Sequence, residues 1–285
     1  MDVLNRLTTR AFDGLLKPFE YLGPELSLIL VSGLFGILAL LVFKQISWQK
    51  GIKRVKDRMK GDMIAIRIYQ DDLAVVGGSV LRIVLRNFQY LSLNLLPILP
   101  LMAPFVLVMA QLVVRYAYAP LPVRDSAAAM LPGEGTMLSI ELVRGREADV
   151  EGMTVHLPPG LKAVSPLVRN AADGFACQEV IAVEPGEWEI ELLFADGSRA
   201  IKRIVTGDRP ARVMQPERVA GFWSSWLFPA EDRFARGGPV KRVRFEYPDR
   251  DLRFLPDGEF WIVVIFLVAS MAFGAVILKP LGIQI

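Results

Sequence analysis

The residues from Leu26 to Phe43, LSLILVSGLFGILALLVF, run for eighteen positions without a charge. At a rise of about 1.5 Å per residue, roughly 20 apolar residues span a hydrocarbon layer about 30 Å thick. With Ile46 and Trp48 at its edge, this stretch is expected to be a membrane span over 26–46. Two further apolar runs, 93–114 and 260–278, ask for the same reading. The chain is 53% hydrophobic with a mean hydropathy of +0.38, and the excess sits in these three runs, whereas 115–259 has the mixed composition of a soluble domain.

Charge distribution sets the expected topology. Between Lys44 and Asn94 there are ten Lys or Arg against four Asp, and from Arg115 to Glu259 nineteen against twenty-two acids. Short basic connections stay in the cytoplasm, while long domains cross largely regardless of charge. The amino terminus is therefore expected outside and the carboxyl terminus inside, with the long insertion outside the cytoplasm. A bacterial cytoplasmic membrane is the expected home. The first run starts 25 residues in and is followed by no small-x-small cleavage site, so it reads as a retained span.

Residues 1–22 read as an amphipathic helix, with Leu4, Leu7, Phe12, Leu15, Leu16 and Phe19 recurring at three- and four-residue steps. Such a helix lies in the membrane interface or packs on the protein's own soluble domain. Gly23-Pro24 ends it. After the first span, Trp48, Ile52, Val55, Met59, Met63 and Ile66 form a narrow apolar seam. A turn is expected at Asp71-Asp72 with Gly77-Gly78, followed by a second stripe of Val80, Val84, Phe88, Leu91 and Leu95. Residues 47–92 thus predict a basic helical hairpin projecting into the cytoplasm. Its cations, Lys50, Lys53, Arg54, Lys56, Arg58, Lys60, Arg82 and Arg86, are either a solvated face that sets topology or a contact for anionic lipid or ribosomal RNA. Nothing here reads a base sequence.

The second run, 93–114, holds Pro97, Pro100 and Pro104, each removing a backbone donor. Lipid cannot satisfy the freed carbonyls, so a kinked helix against protein or a wet cavity is expected. Asn94 and Gln111 are its polar residues, either anchors at the two interfaces or part of such a cavity. The apolar stretches carry no charge, which argues against a pump or ion-coupled transporter.

From 120 to 255 short alternating runs take over: 137–143, 153–157, 178–184, 188–194, 199–206 and 240–248. Asp196-Gly197 between two of them is the best hairpin signal in the chain. The resulting fold class is an α-helical integral membrane protein with three transmembrane helices and a cytoplasmic helical hairpin. An extracytoplasmic, β-sandwich-like domain is inserted between the second and third spans. The aromatic stretch 221–234 is core in a soluble setting, or sits at headgroup level beside a membrane. His156 and Cys177 fall in or next to strands, with no nucleophile–base or metal set around them. No G-x-S-x-G, phosphate-binding loop or dinucleotide fingerprint occurs, so an enzyme is not expected and no cofactor is implied.

Three segments carry a resemblance. LLKPFEYLGPELSLILVSGLFGILALLVF, SWQKGIKRVKDRMKGDM and NLLPILPLMAPFVLVMAQL resemble the interfacial helix and first span, the basic hairpin, and the next proline-bearing span of the Oxa/YidC/EMC superfamily of membrane-protein insertases. The resemblance covers residues 10–115, with 260–278 a candidate third span and the β region unaccounted for. It implies assistance to membrane-protein clients, through a hydrated groove and without covalent chemistry, with the ribosome or the client meeting the hairpin. Ser32, Gly33, Gly36, Asn94 and Gln111, together with Pro97, Pro100 and Pro104, are the candidate groove. Many such insertases carry a positive residue in the first span, where this chain has Gly36-Ile37. A different function fits the same pattern: a structural subunit of an envelope complex with fixed membrane partners, whose β domain binds a protein or glycan.

Overall fold

The structure is a computed structural model that describes residues 2–124, 133, 135–208 and 211–281. Residues 125–132, 134 and 209–210 of the expected β region, and the tail after 281, lie outside the described residues. The helices are α1 (Asp2–Leu16), α2 (Pro24–Ile46), α3 (Gln49–Ile68), α4 (Leu73–Leu95), α5 (Ile98–Tyr116) and α6 (Glu259–Leu281). Among the described residues, three helical stretches are long and apolar enough to cross a membrane: Pro24–Ile46, Leu73–Tyr116 and Glu259–Leu278. The chain forms two compact units, Met1–Leu28 with Leu107–Val264, and Ile29–Val106 with Ile265–Ile285.

The first unit holds the β region between α5 and α6. Its strands are β1 (Thr136–Leu142), β2 (Thr154–His156), β3 (Leu161–Ala163), β4 (Val168–Asn170), β5 (Phe175–Ala182), β6 (Gly186–Leu193), β7 (Arg199–Thr206), β8 (Glu217–Val219) and β9 (Val240–Phe245). They build two antiparallel sheets, one ordered β3-β5-β1-β9-β8 with β4 also on β5, the other β2-β6-β7. Alternation sends Leu138, Ile140, Val180, Val243 and Phe245 from the first sheet, and Ile190, Leu192 and Ile204 from the second, into one buried cluster. Two sheets sharing a core through alternate residues make a sandwich. On the outer face of β6, Glu189 and Glu191 pair with Arg203 and Arg199 of β7 at 3.2 and 3.3 Å.

The β6–β7 turn is the one expected at Asp196-Gly197. Phe194 N–H donates to the Ser198 carbonyl at 3.1 Å, and Gly197 takes φ +80°, a left-handed conformation that glycine adopts without penalty. One inward position of β7 is a charge. Lys202 has a fully buried side chain that donates to Glu231 and to the carbonyls of Gln215 (2.8 Å) and Arg203 (2.9 Å). All three ammonium protons are matched. Burial lowers the Lys202 pKa from its ordinary value, with Glu231 opposing that shift.

α1 also belongs to this unit and presents its polar side to the protein. Asn5 donates to the Ser225 carbonyl at 3.1 Å, Arg6 pairs with Asp232 at 3.0 Å, and Thr9 Oγ1 accepts from Gln111 of α5 at 2.9 Å. Its apolar Leu7 and Leu15 face outward.

The second unit contains the α3–α4 hairpin, whose details differ from expectation in three ways. The turn takes in the expected Asp71-Asp72 but ends there, at Tyr69–Asp72: Asp72 caps α4 by accepting from Ala74 N–H (3.0 Å) and Val75 N–H (3.1 Å), so Gly77-Gly78 lie inside the helix. The seam of α3 is Ile52, Val55, Met59, Asp62 and Ile66, with Met63 facing out. The helices are joined there by charge: buried Asp62 accepts from Arg82 at 3.1 Å and pairs with Arg86, which also donates to the Arg58 carbonyl at 2.8 Å. Finally, the α4 stripe Val80, Val84, Phe88, Leu91 and Leu95 is exposed rather than turned toward α3. A 3.6-residue period marks a face without saying what that face meets.

The expected second span is broken as its prolines require. α4 runs to Leu95, the chain turns at Leu96-Pro97, and α5 restarts at Ile98 with Pro100 in its first turn and Pro104 in its interior. α5 continues to Tyr116, two residues past the expected end, so its last turn includes the buried charge Arg115.

Candidate functional site: an apolar groove lined by α2, α5 and α6

α2 and α6 approach closely because α2 has glycine where they meet. A methyl group on Gly36 would run into the backbone of Ser270, its Cα at 2.6 Å, and one on Gly33 would lie 2.5 Å from the Phe273 ring. Small residues let helix backbones touch, which is the main route to tight packing where lipid removes the hydrophobic drive. Nearby, Phe35, Phe105 and Phe266 form a mutual aromatic cluster with centroids 4.7 to 5.8 Å apart, and Phe266 is fully buried. This cluster links α2, α5 and α6.

Beside it lies a groove of about 420 Å³. α2 contributes Gly36, Ala39, Leu40 and Phe43; α5 contributes Ile98, Leu101 and Phe105; α6 contributes Ser270, Met271, Gly274, Ala275 and Leu278. Asn94, at the end of α4, completes the wall. The lining is apolar except for Asn94 and Ser270. Ser270 Oγ is spent on the Leu267 carbonyl at 2.9 Å. Asn94 donates to the Tyr90 carbonyl at 2.8 Å, which leaves its buried Oδ1 without a partner among the described residues. Asn94 is thus a polar residue of the groove wall whose amide oxygen is buried and has no partner among the described residues.

Of the residues singled out in the sequence, Gly36 and Asn94 line this groove. Gly33 lies under the Phe273 ring and Ser32 is buried in α2. Pro97, Pro100 and Pro104 shape the α4–α5 junction and do not line the groove. Gln111 belongs to the other unit, bonded to Thr9. At Gly36 the crossing with Ser270 leaves no room for a long side chain.

On the hairpin, Lys50, Lys53, Arg54, Arg58 and Lys60 are exposed along α3. Arg82 and Arg86 are engaged with Asp62, and Lys56 lies 5.3 Å from the centre of the Tyr90 ring. Among the described residues, no group of three or more His, Cys, Asp or Glu side chains is arranged to hold a metal ion. His156 is exposed on β2 and Cys177 half-buried on β5.

Comparison of the chain with protein-family models, with curated proteins and with solved structures finds no match.

Proposed function

We propose that this chain is an integral membrane protein that assists the insertion or folding of client membrane segments, by non-covalent contact alone. The observation that carries the reading is the apolar groove beside Asn94. Ala39 and Leu40 of α2, Leu101 of α5, and Met271 and Ala275 of α6 give it a wall that suits an apolar segment. A rotation of the Asn94 amide, whose Oδ1 has no partner among the described residues, brings an acceptor to a polar group of a passing segment, whose exposure to lipid would otherwise cost several kcal/mol, on the order of an unmade buried hydrogen bond.

The hairpin supports the same reading. The outward stripe of α4 is an apolar face with no partner in its own hairpin, and the exposed cations of α3 lie in the same unit. Apolar and basic faces together suit an emerging client, or the ribosome that delivers it. In this reading the basic hairpin is cytoplasmic, by the positive-inside rule, and the β sandwich lies outside. The outward Leu7 and Leu15 of α1 support its placement against lipid headgroups.

The same unpartnered faces also suit a fixed subunit of an envelope complex, filled permanently by partner helices. Site-specific photo-crosslinking in cells separates the two readings. Probes at Leu101 and Met271 in the groove and Phe88 on α4 should capture short-lived nascent membrane proteins, and a control at Asp196 should not. One stable partner at every groove position would overturn the insertion reading in favour of a fixed subunit.

A further inference from the structure

Arg115, in the last turn of α5, points into the protein, with its side chain 4% exposed. Its Nη2 donates to Asp13 Oδ1 at 2.7 Å and to the Thr9 carbonyl at 3.0 Å. Nε and Nη1 are buried and have no partner among the described residues. A cation suits the end of a helix, where carbonyls gather partial negative charge. That accounts for the sign of the residue and leaves those two nitrogens unanswered. A guanidinium carries donors in a fixed fork, and buried donors are rarely left unmade.

The unanswered nitrogens belong to a residue that lines a cavity of about 210 Å³, together with Asp13, Ser27, Arg212 and Arg250. Arg250 is half-buried there and donates from Nη1 to the Arg115 carbonyl at 3.0 Å. Burial pushes its pKa below the ordinary guanidinium value, with Tyr116 and Glu25 pulling the other way. Arg212 is exposed at the same wall. Against three guanidinium groups stand Asp13, which takes one nitrogen of Arg115, and nearby Glu25, which accepts the Arg253 backbone N–H at 3.1 Å. Positive charge is in excess, and it surrounds a space smaller than the roughly 300–1,000 Å³ of ordinary ligand pockets.

We infer that this cavity binds a phosphate-bearing anion of headgroup size, held by Arg115, Arg212 and Arg250. Phosphate fits better than carboxylate because several oxygens answer several forks, and arginine pairs with phosphate in bidentate fashion. The source is either an anionic lipid headgroup or free phosphate. The inference concerns the first unit and does not rest on the insertion reading.

The test uses the purified full chain in neutral detergent, with thermal unfolding followed against dihexanoyl phosphatidylglycerol, dihexanoyl phosphatidylcholine and inorganic phosphate. A ligand that binds only the folded state stabilises it by RT ln(1 + [L]/Kd), so the melting temperature climbs with the logarithm of concentration above the Kd. The expected result is a rise with phosphatidylglycerol concentration, none with the zwitterionic phosphatidylcholine, and a curve displaced to at least tenfold higher concentration in Arg212→Gln. Arg212 is exposed, so this variant folds even where Arg115→Gln does not. An equal rise with inorganic phosphate assigns the site to a soluble phosphate, and a rise with the phosphatidylglycerol alone assigns it to a lipid. No rise with either anion, or an undisplaced concentration curve in Arg212→Gln, overturns the inference.

Discussion

Gly36 of α2 and Ser270 of α6 meet backbone to backbone, so that a single methyl group on Gly36 would overlap the Ser270 carbonyl. The crossing also forms part of the groove wall. Gly36→Ala must therefore separate the two helices, at a cost of about 1–3 kcal/mol for overpacking. Gly77→Ala in α4 is the matched control: a methyl there meets nothing within 4 Å, and the position is exposed. Replacing glycine by alanine inside an exposed helix is expected to stabilise by about 0.5–1 kcal/mol. Thermal unfolding of the full chain in detergent reads both. If the two variants melt alike, the close crossing is not what holds these helices.

Lys202 and Glu231 form the most deeply buried ion pair seen among the described residues, with side chains 0% and 9% exposed. Removing one partner of such a pair strands the other, at about 3–5 kcal/mol, whereas replacing both with neutral groups of similar size is often close to neutral. Lys202→Ala is thus expected to lower the β region's stability by that amount, and Lys202→Met with Glu231→Gln to recover most of it. Urea unfolding followed by tryptophan fluorescence gives the comparison. A double variant as weak as the single one would show that Lys202 matters through its bonds to the Gln215 and Arg203 carbonyls.

The β6–β7 turn carries a pH dependence. Hydrogen bonds from Arg146 and Ser198 hold the Asp196 carboxyl well below the ordinary carboxylate range. A depressed folded-state pKa means the unfolded chain binds the proton more readily. The contribution is complete above the ordinary value of about 3.9 and fades as pH falls below it. Asp196→Asn should narrow the loss of stability between about pH 4 and pH 2, the window below that ordinary value. The effect is small, because the carboxylate is at the surface and salt screens it. Identical acid profiles for the two proteins would remove Asp196 from the account.

How far this architecture was legible in the sequence follows from the range of each interaction. The long uncharged run at Leu26 and the Asp196-Gly197 hairpin are local patterns, and both stand in the structure. β3, β4 and β8 are three residues each and fall outside the expected strands, whereas the equally short β2 lies within the expected run 153–157. The hairpin turn falls at Asp71-Asp72 as expected but does not extend to Gly77-Gly78, because Asp72 starts α4 and an aspartate before an apolar run is itself a helix-start signal. The orientation of α4 was hidden because Asp62 draws Arg82 and Arg86 inward and so turns the apolar stripe out. Gln111 and Arg115, four residues apart on α5, meet Thr9 and Asp13, four apart on α1. Contacts spanning 102 residues leave no mark on periodicity. Gly36 and Asn94 reached the groove wall, Gly36 because small residues are what a close helix crossing demands.

The aromatic stretch 221–234 gives the most direct check on where a membrane lies. Trp223 is 74% exposed and stacks edge-on with Phe222 at 5.0 Å and beside Trp226 at 5.6 Å. Tyr21, Phe254 and Phe260, all close in sequence to the starts of α2 or α6, are also exposed. Large aromatics left outside a folded core favour the headgroup layer, where an amphipathic ring meets both apolar and wet surroundings. Trp188 provides the contrast: its Nε1 donates to Thr206 Oγ1 at 3.0 Å and its ring packs on the sandwich core. The chain has five tryptophans, so a variant keeping only Trp223 and another keeping only Trp188 are straightforward to compare in nanodiscs of brominated phospholipid. Bromine near the headgroups should quench Trp223 strongly and leave Trp188 at its emission in unbrominated lipid. Equal, weak quenching of both would mean that Trp223 faces water, and the aromatic face would then be a surface for a protein partner.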